Sequence, residues 1–591
     1  MSAPGRYIWV ALGAASIAFH LGLIFTGLVP NLFARPLHML LALPWVFVFS
    51  AKSRSELISG GILTVLGGAA VLYVAINEEA LSDQYGFLNS DLQIAIAFTL
   101  IFVTLEMARR AISWPLPLVA LFALCYGLFG QHLPGEFGHP GIPLQSVMGN
   151  LTIAEGGLWG KLTGVSVSIV AVFVIMGAVL NAGEAGQGFM NLATAAAGRL
   201  KGGAAKVSTL SSALFGSISG SASANVASTG AITLPAMTRL GYPKSFAGAV
   251  EAVASSGGQI MPPLMGAGAF VMVELTGVPY TSIMAAALLP ALLYFVTVWI
   301  GINAFARRYD LKGLPEEEQP DRKAVLITSA FFAVPFLVLL ERMFIGGFTP
   351  QYAASVAILA ALLLLFINGK MQFNIKRAFE RLEQACINTG RQVAMIASII
   401  LCASIVIGVL GATGLGVKIT SLILSGSGEM LWPALLLTAG ACLILGMEVP
   451  TTAAYVICIS VAGPALQQLG LAPLQAHLFV FWFALLSTIT PPVCGAVFIA
   501  AGMVEENWLK VSMKAMALGL GLYIIPLALI ANPSLIALET NPIGAVVSFV
   551  QIGLSLTAIS YGVIAPLQLL LRGVLVIVGT AGIFLLPVLI G

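Results

Sequence analysis

Long apolar segments, most of them about the length of a membrane-spanning helix, follow one another along almost the whole chain. Such a helix needs about 20 mostly apolar residues. The pattern predicts spans at roughly 8–29, 37–51, 57–76, 92–108, 114–133, 162–182, 246–275, 281–305, 324–342, 350–368, 390–410, 475–503 and 511–531. The last apolar stretch, 543–591, has room for one span, two spans or a broken pair. The pattern therefore predicts an all-α polytopic membrane protein.

The composition supports this fold class and excludes several others. Of the 591 residues, 59% are hydrophobic and only 9% are charged, whereas soluble globular proteins carry about 25% charged residues. A soluble enzyme, a nucleic-acid-binding protein and a disordered chain are thereby excluded. The cysteines and histidines form neither a C-x-x-C nor an H-E-x-x-H pattern, so we expect no cofactor and no metal other than a transported ion.

The basic residues predict how the spans are oriented, because lysine and arginine concentrate in cytoplasmic loops. The third span lies between the basic loop 52–54 and the acidic loop 78–91, which predicts a cytoplasmic N-terminus. The apolar stretch 207–240 is preceded by Lys206 and contains Arg239 near its end. If both ends are cytoplasmic, this stretch enters and leaves the membrane on one side. It is then a re-entrant hairpin.

An internal repeat relates two parts of the chain. The shift that places Pro235 on Pro464 holds without gaps to Gly266, and it also aligns Leu240-Gly241 with Leu469-Gly470 and Pro262-Pro263 with Pro491-Pro492. The repeats cover about 162–305 and 391–531. Five predicted spans separate equivalent points, and since five is odd, the second repeat should be inverted. Its own hairpin, 434–470, then enters from outside.

The hairpins and two of the spans are interrupted by small polar residues and prolines, at 216–230, 255–263, 446–454 and 487–492. Paired broken helices in inverted repeats are a signature of secondary transporters. Irregular backbone at membrane depth is tolerated only where it lines a cavity or is buried in protein. The alternative is that these clusters of small residues only let helices pack closely.

The interruptions offer hydroxyl, amide and bare carbonyl oxygens, which suit a hard cation such as Na⁺. An anionic substrate would be held by hydroxyls, amides and helix N-termini, because no lysine or arginine lies between Lys206 and Arg239 or at either proline pair. The residues that we expect to bind substrate or cation are Ser219, Ser221, Ser223, Asn225, Thr229, Gly257, Gly258, Gln259, Pro262, Pro263, Pro450, Thr451, Thr452, Ser487, Thr488, Thr490, Pro491 and Pro492.

Two carboxylates are candidates for carrying a coupling proton instead. Glu251 lies within about two helical turns of the Gly257-Gly258 break, and Glu448 lies at the tip of the second hairpin. An ionised carboxylate inside a membrane is costly, so such residues are functional candidates. The alternative for Glu251 is a structural hydrogen bond to a neighbouring hydroxyl, and Glu448 could instead be hydrated. His477 is expected to be an interfacial or packed histidine.

Several of these motifs are similar to those of one transporter family. The stretches GSASANV (220–226), FAGAVEA (246–252) and GGQIMPP (257–263) resemble the fused permease of TRAP transporters, in its TAXI branch, as do the later PTTAAY, AHLFVF and TPP stretches. The resemblance covers about residues 110–530. Residues 1–110 resemble the small permease subunit, here joined to the large one. Three parts are thus expected: 1–110, 111–531 and the C-terminal spans of 532–591.

The resemblance implies a function and a mechanism. TRAP permeases are multi-pass proteins of the bacterial or archaeal inner membrane that import organic acids, typically C4 or C5 dicarboxylates, from a periplasmic substrate-binding protein, here of the TAXI type. Import is driven by an ion gradient, usually Na⁺, in an elevator movement of the hairpins and broken helices, here about 183–280 and 411–510, against a scaffold. Proton coupling through Glu251 or Glu448 stays open. An ion channel is a less favoured alternative, and an intramembrane hydrolase lacks a base.

Overall fold

The computed structural model describes residues 3–263, 265–446, 449–492 and 494–585, and side chains from residue 5 onward except that of Ser219. Within these ranges the chain is helical, and its only β-structure is an isolated bridge between Ile367 and Phe373. Eleven of the described helices are long and apolar enough to cross a membrane. The prediction of an all-α polytopic membrane protein is confirmed.

Within the described residues the N-terminal part consists of nine helices, and capping side chains mark the starts of two of them, Arg54–Ile76 and Asp91–Ala111. The Ser53 hydroxyl accepts a hydrogen bond from the backbone N–H of Glu56 at 3.1 Å, and Ser90 does the same for Gln93 at 3.3 Å, which satisfies N–H groups that a helix start leaves free. The helices are α1 (Ala3–Phe25), α2 (Asn31–Pro44), α3 (Arg54–Ile76), α4 (Glu78–Ser82), α5 (Asp91–Ala111), α6 (Pro115–Phe129), α7 (Leu144–Thr152), α8 (Lys161–Val165) and α9 (Ala171–Ala182). A π-helical turn extends α2 through Phe49, and another joins α8 to α9.

The first repeat contains a helical hairpin followed by a broken helix. The hairpin turns at Gly220, whose φ of 60° is in the left-handed region that glycine adopts freely. The broken helix is interrupted by the 3₁₀ turn Gly258–Ile260 and by the cis bond between Pro262 and Pro263. The helices are α10 (Ala185–Ala197), the hairpin pair α11 (Gly203–Ser219) and α12 (Ala222–Arg239), the broken pair α13 (Lys244–Gly257) and α14 (Ala267–Thr276), and α15 (Tyr280–Tyr309).

The second repeat follows three connecting helices, α16 (Arg322–Leu340), α17 (Pro350–Leu364) and α18 (Ile375–Thr413). It consists of α19 (Leu415–Gly426), the hairpin pair α20 (Leu431–Leu445) and α21 (Thr451–Gln468), the broken pair α22 (Pro473–Leu486) and α23 (Gly495–Val504), and α24 (Trp508–Leu518) with α25 (Leu520–Ala531). The C-terminal stretch forms two helices, α26 (Pro542–Ile564) and α27 (Leu569–Phe584), which pack on each other.

The repeat found in the sequence is present in the structure, and its register is exact for two pairs of helices. The shift that places Pro235 on Pro464 also places both ends of α12 on the ends of α21, and both ends of α13 on the ends of α22. The packing is reciprocal, since α14 contacts α21 and α22 while α23 contacts α12 and α13. Reciprocal packing of this kind is what a two-fold relation between the repeats produces. The two predicted hairpins and two broken helices are confirmed.

The helix α18 holds the N-terminal part against the repeats, because α1, α2, α5, α6 and α9 all contact it. Its start differs from the predicted span at 390–410: the helix begins at Ile375, where Asn374 accepts a hydrogen bond from the backbone of Arg377 at 3.0 Å. The additional turns carry charged residues, so hydropathy alone does not detect them. The division into 1–110, 111–531 and 532–591 stays a prediction.

Candidate functional site

Each hairpin tip lies directly against the break of its own repeat. In the first repeat Gly216 meets Gly258: a β-carbon added to Gly258 would lie 2.6 Å from the Cα of Gly216. In the second repeat Gly446 meets Ser487, whose Cβ would be 3.0 Å from a β-carbon on that glycine. The tips therefore reach the middle of the broken helices.

This close contact predicts a large effect of Gly258→Ala. The new methyl group would meet backbone atoms of Gly216 and the Ser212 carbonyl oxygen at 2.9 Å, neither of which can move without shifting the hairpin. We expect the free energy of unfolding to fall by about 2–3 kcal/mol, measured by thermal unfolding in detergent. Gly502→Ala is the matched control, because Gly502 lies in α23 with nothing within 4 Å of the added atom. Equal stability of both variants would contradict the packing.

The two breaks also contact each other. The Thr488 hydroxyl of the second break donates to the Ser256 hydroxyl at the end of α13, at 2.8 Å. Each break is closed by an equivalent backbone hydrogen bond, from Gly266 N–H to the Gln259 carbonyl at 2.8 Å and from Ala496 N–H to the Thr488 carbonyl at 3.2 Å. The hairpin tips and the breaks thus form one cluster.

Protein donors already use some of the oxygens that the broken helices leave free. Tyr280 donates to the Pro263 carbonyl at 2.8 Å, and Ser512 donates to the Ile489 carbonyl at 2.9 Å. Thr490 shares a hydrogen bond of 2.6 Å with the Tyr523 hydroxyl. Since a carbonyl oxygen has two lone pairs, these groups keep limited capacity for a cation.

The predicted residues of the first hairpin take different roles. Asn225 is buried and donates to the Ser212 carbonyl at 2.8 Å, and Thr229 is buried beside Glu251. Ser221 caps α12 by accepting from the backbone N–H of Ala224 at 3.4 Å, whereas the Ser223 side chain is exposed. The Ser219 side chain lies outside the described part of the structure, as does Glu448.

The remaining predicted residues line the breaks and the second tip. Gly257 packs against Tyr294, so that a β-carbon would lie 2.1 Å from the ring, and Gln259 is buried. Ser487 donates to the Ala484 carbonyl at 2.9 Å. Partly buried or exposed positions are Pro262, Pro263, Pro450, Thr451, Thr452, Pro491 and Pro492.

Two helix N-termini begin at the tips. Ser221 precedes α12 and Pro450 precedes α21, and each of these helices has 18 residues. A helix N-terminus carries free N–H groups and a partial positive charge, so it favours an anion. The tips therefore provide two anion-favouring ends beside the cluster of breaks.

Glu251 is surrounded by hydroxyl groups. Its side chain is fully buried in α13, and its oxygens accept from Ser208 at 2.8 Å, from Ser212 and Ser255 at 3.3 Å each, and from Thr229 and Thr233 in very short contacts. We call these five residues the hydroxyl cage. No Lys, Arg or His of the described chain forms a salt bridge with Glu251. The structural alternative predicted for Glu251 is a hydrogen bond to a neighbouring hydroxyl. Five such contacts are present.

The cage was only partly predicted. Thr229 was expected at the site, but Ser208, Ser212, Thr233 and Ser255 were not. A signal exists in the sequence: Ser208 and Ser212, Thr229 and Thr233, and Glu251 and Ser255 are each four residues apart, which places each pair on one helix face. What the sequence lacks is the information that these three faces meet.

At the positions of the second repeat that are equivalent to the cage, the sequence carries no hydroxyl group. The repeat shift places Glu251 on Val480, Thr229 on Cys458, Thr233 on Ala462 and Ser255 on Ala484. The helix α20, which corresponds to α11, carries a single hydroxyl residue. Because these equivalent positions carry neither a carboxylate nor a hydroxyl group, the repeat fold does not require a carboxylate at the position of Glu251. His477 in this repeat is packed as expected, with Nδ1 at 2.7 Å from the Tyr455 hydroxyl.

Comparison with known proteins identifies the family to which this chain belongs. Residues 99–543 match the family described as "Tripartite ATP-independent periplasmic transporter, DctM component". The chain belongs to the DctM family. Permeases of this family are transporter components rather than enzymes, they lie in the membrane, and they work with a periplasmic substrate-binding protein. The predicted resemblance to TRAP permeases is confirmed at this level.

Individual DctM-family relatives are distant in sequence. The C4-dicarboxylate TRAP transporter large permease protein DctM of Pseudomonas aeruginosa is 26% identical over 56% of this chain and 76% of its own length. The sialic acid permease SiaM of Vibrio cholerae is 21% identical over 64% of this chain and 87% of its own. The isethionate permease DctMQ of Oleidesulfovibrio alaskensis is 24% identical over 62% of this chain and 57% of its own length.

Proposed function

We propose that this chain is the membrane permease of an importer that takes organic acids from a TAXI-type substrate-binding protein and is driven by a cation gradient. C4 or C5 dicarboxylates are the first substrates to test. The observation that carries this proposal is the pair of hairpin tips, each with a helix N-terminus beside a broken helix, in a chain of the DctM family. Relatives named for C4-dicarboxylate and sialic acid transport agree with an acidic substrate.

A fused small subunit is part of the proposal. The family match begins at residue 99, so that α1 to α4 and the start of α5 precede it. Of these helices, α1, α2 and α5 contact α18, and α3 packs against α2 and α5, which suits a scaffold in an elevator mechanism. The moving unit would be about 183–280 and 411–510, and the reciprocal contacts of α14 and α23 support its moving as one body. The orientation with a cytoplasmic N-terminus rests on the charge pattern.

The substrate carboxylate would bind at the N-termini of α12 and α21. The N–H groups of their first turns and the hydroxyls of Ser221 and Thr451 supply donors without a buried cation.

Na⁺ is one candidate for the coupling ion. It would bind where hydroxyls and carbonyls of a tip face a break, at 219–225 with 257–263 and at 450–452 with 487–492. The pseudo-symmetric placement of the two clusters supports two such sites.

The proton is a second candidate, and the hydroxyl cage of Glu251 favours it. The cage oxygens approach the carboxylate at hydrogen-bonding distance, such as 2.8 Å for Ser208. A proton fits this arrangement without moving any group, whereas Na⁺ would have to push the oxygens apart. The absence of the cage from the second repeat further suggests a dedicated role.

Uptake by two tip variants tests the proposed substrate site. In proteoliposomes with a TAXI-type binding protein, we expect Ser221→Ala and Thr451→Ala to reduce dicarboxylate uptake by about tenfold or more, because each removes a donor from a desolvated anion. Loss of the Ser221 cap should cost only about 1 kcal/mol of stability. Thr99→Ala is the control, since the exposed Thr99 hydroxyl only bonds the Ala95 carbonyl. Full uptake by both tip variants would refute the site.

A further inference from the structure

A cavity reaches from one surface of the protein to the hydroxyl cage. It has a volume of about 320 Å³, and its polar lining includes Gln187, Asn191, Thr194, Thr233 and Glu318. Thr233 is the residue that this lining shares with the cage. At the other end, Glu318 lies in the loop after α15 and forms a salt bridge of 2.6 Å with Arg239. The cavity is therefore wide enough for several water molecules and ends one residue away from Glu251.

Thr233 connects Glu251 to the cavity, because its hydroxyl contacts the carboxylate and the residue belongs to the cavity lining. The Oγ1 atom contacts the Glu251 carboxylate and also lies 3.0 Å from the backbone carbonyl of Thr229. A hydroxyl has one proton and two lone pairs. It can donate to ionised Glu251, or it can accept the proton of the carboxylic acid while its own proton points to another acceptor.

Among the described residues, no other ionisable group forms a hydrogen bond or salt bridge with Glu251. The elements packed against α13 are α11, α12, α15, α23, α24 and the 3₁₀ turn. Of their charged or titratable side chains, Lys206 lies over the Trp299 ring, Tyr294 donates to the Val253 carbonyl, and Lys514 donates to Ser245. The others also face away from Glu251 in their described contacts: Arg239, Arg307, Arg308, Tyr309 and Lys510. Tyr280 donates to Pro263, and Lys244 begins α13 itself.

We infer that Glu251 exchanges a proton with one face of the membrane through Thr233 and this cavity. In the release step the carboxylic acid gives its proton to Thr233 Oγ1, and Thr233 gives its own proton to water in the cavity. The products are the carboxylate, an unchanged threonine and a hydronium ion. The lysine and arginine residues of the neighbouring loop indicate that this face of the membrane is cytoplasmic. In an importer, a coupling proton leaves the protein on the cytoplasmic side. The inference rests on the proposed function and specifies its cation path.

Infrared spectroscopy of the full-length protein in lipid nanodiscs tests this path without transport. A protonated buried carboxyl gives a C=O band that shifts in D₂O, and its loss in Glu251→Gln assigns the band. After a pH jump, we expect Thr233→Val to slow the change of this band by about a hundredfold, the lower end of what a positioned proton-transfer group contributes. Ala236→Phe, which fills the cavity but keeps every hydroxyl, should also slow it.

Thr209→Val is the matched control, because Thr209 is buried on the same hairpin and bonds only the Ala205 carbonyl in the described contacts. The inference is overturned if no band belongs to Glu251, or if the Thr233 and Ala236 variants respond as fast as the wild type. Dicarboxylate uptake by the wild type, measured in parallel, separates this failure from that of the proposed function. If the wild type takes up dicarboxylate but shows no infrared band of Glu251, only the inferred proton path is refuted, and the proposed function stands.

Discussion

The Glu251→Gln variant should fold normally and lose net uptake driven by a pH gradient, by about a hundredfold or more. Glutamine has the shape of protonated glutamic acid and can exchange hydrogen bonds with the cage, but it cannot release a proton. The variant is therefore held in the loaded state. We expect it to retain exchange of labelled for unlabelled substrate across the membrane, since exchange requires no net movement of the coupling ion.

Comparison of net uptake with exchange in one proteoliposome preparation measures this effect. The control is Glu274→Gln: Glu274 lies near the end of α14 and belongs to no described hydrogen bond of the cage. It should leave both activities intact. If Glu251→Gln accumulates substrate as the wild type does under a pH gradient, Glu251 does not carry the proton and its cage is structural.

A carboxylate placed at the equivalent position of the second repeat should prevent stable folding. Val480 is fully buried in α22, and the repeat places it where Glu251 lies in the first. The residues that correspond to the five cage members are Leu437, Ala441, Cys458, Ala462 and Ala484. None of them can donate a strong hydrogen bond. Val480→Glu would bury a carboxyl without the hydroxyl cage that surrounds Glu251, and we expect the free energy of unfolding to fall by about 3–5 kcal/mol.

Val480→Met separates the effect of polarity from that of size, because methionine has nearly the length of glutamate but no polar oxygen. Overpacking alone should cost about 1–3 kcal/mol. Thermal unfolding in detergent and the yield of monodisperse protein report both variants. If Val480→Glu is as stable as Val480→Met, the position tolerates a carboxylate without a cage, and the hydroxyls around Glu251 need another explanation.

The breaks and hairpins could be predicted because their causes are local. Proline at 262, 263, 491 and 492 removes backbone donors, and glycine beside it leaves the helix weak. The internal repeat then showed that the two interruptions occupy equivalent positions. In the structure, the ends of α12 and α21 are related by the predicted shift. The positions of the spans could be predicted from hydropathy because hydropathy is also a local property of the sequence.

Other parts could not be predicted because they depend on contacts between distant segments. The helices α10 and α19 have 13 and 12 residues, too few for a span, and hydropathy does not reveal them. The hydroxyl cage combines α11, α12 and α13, and only the tertiary packing decides which faces of these helices meet. Glu251 itself was found because a carboxylate in an apolar stretch is conspicuous, whereas its serine and threonine partners are common in membrane helices.

The most direct test of the account is the identity of the driving ion. Wild-type protein in proteoliposomes would receive a labelled C4 or C5 dicarboxylate and a TAXI-type binding protein, with either a pH gradient in Na⁺-free buffer or a Na⁺ gradient at equal pH. The hydroxyl cage around Glu251 predicts accumulation under the pH gradient alone. Accumulation that requires Na⁺ and ignores the pH gradient would contradict the role of Glu251 and favour Na⁺ at the hairpin tips.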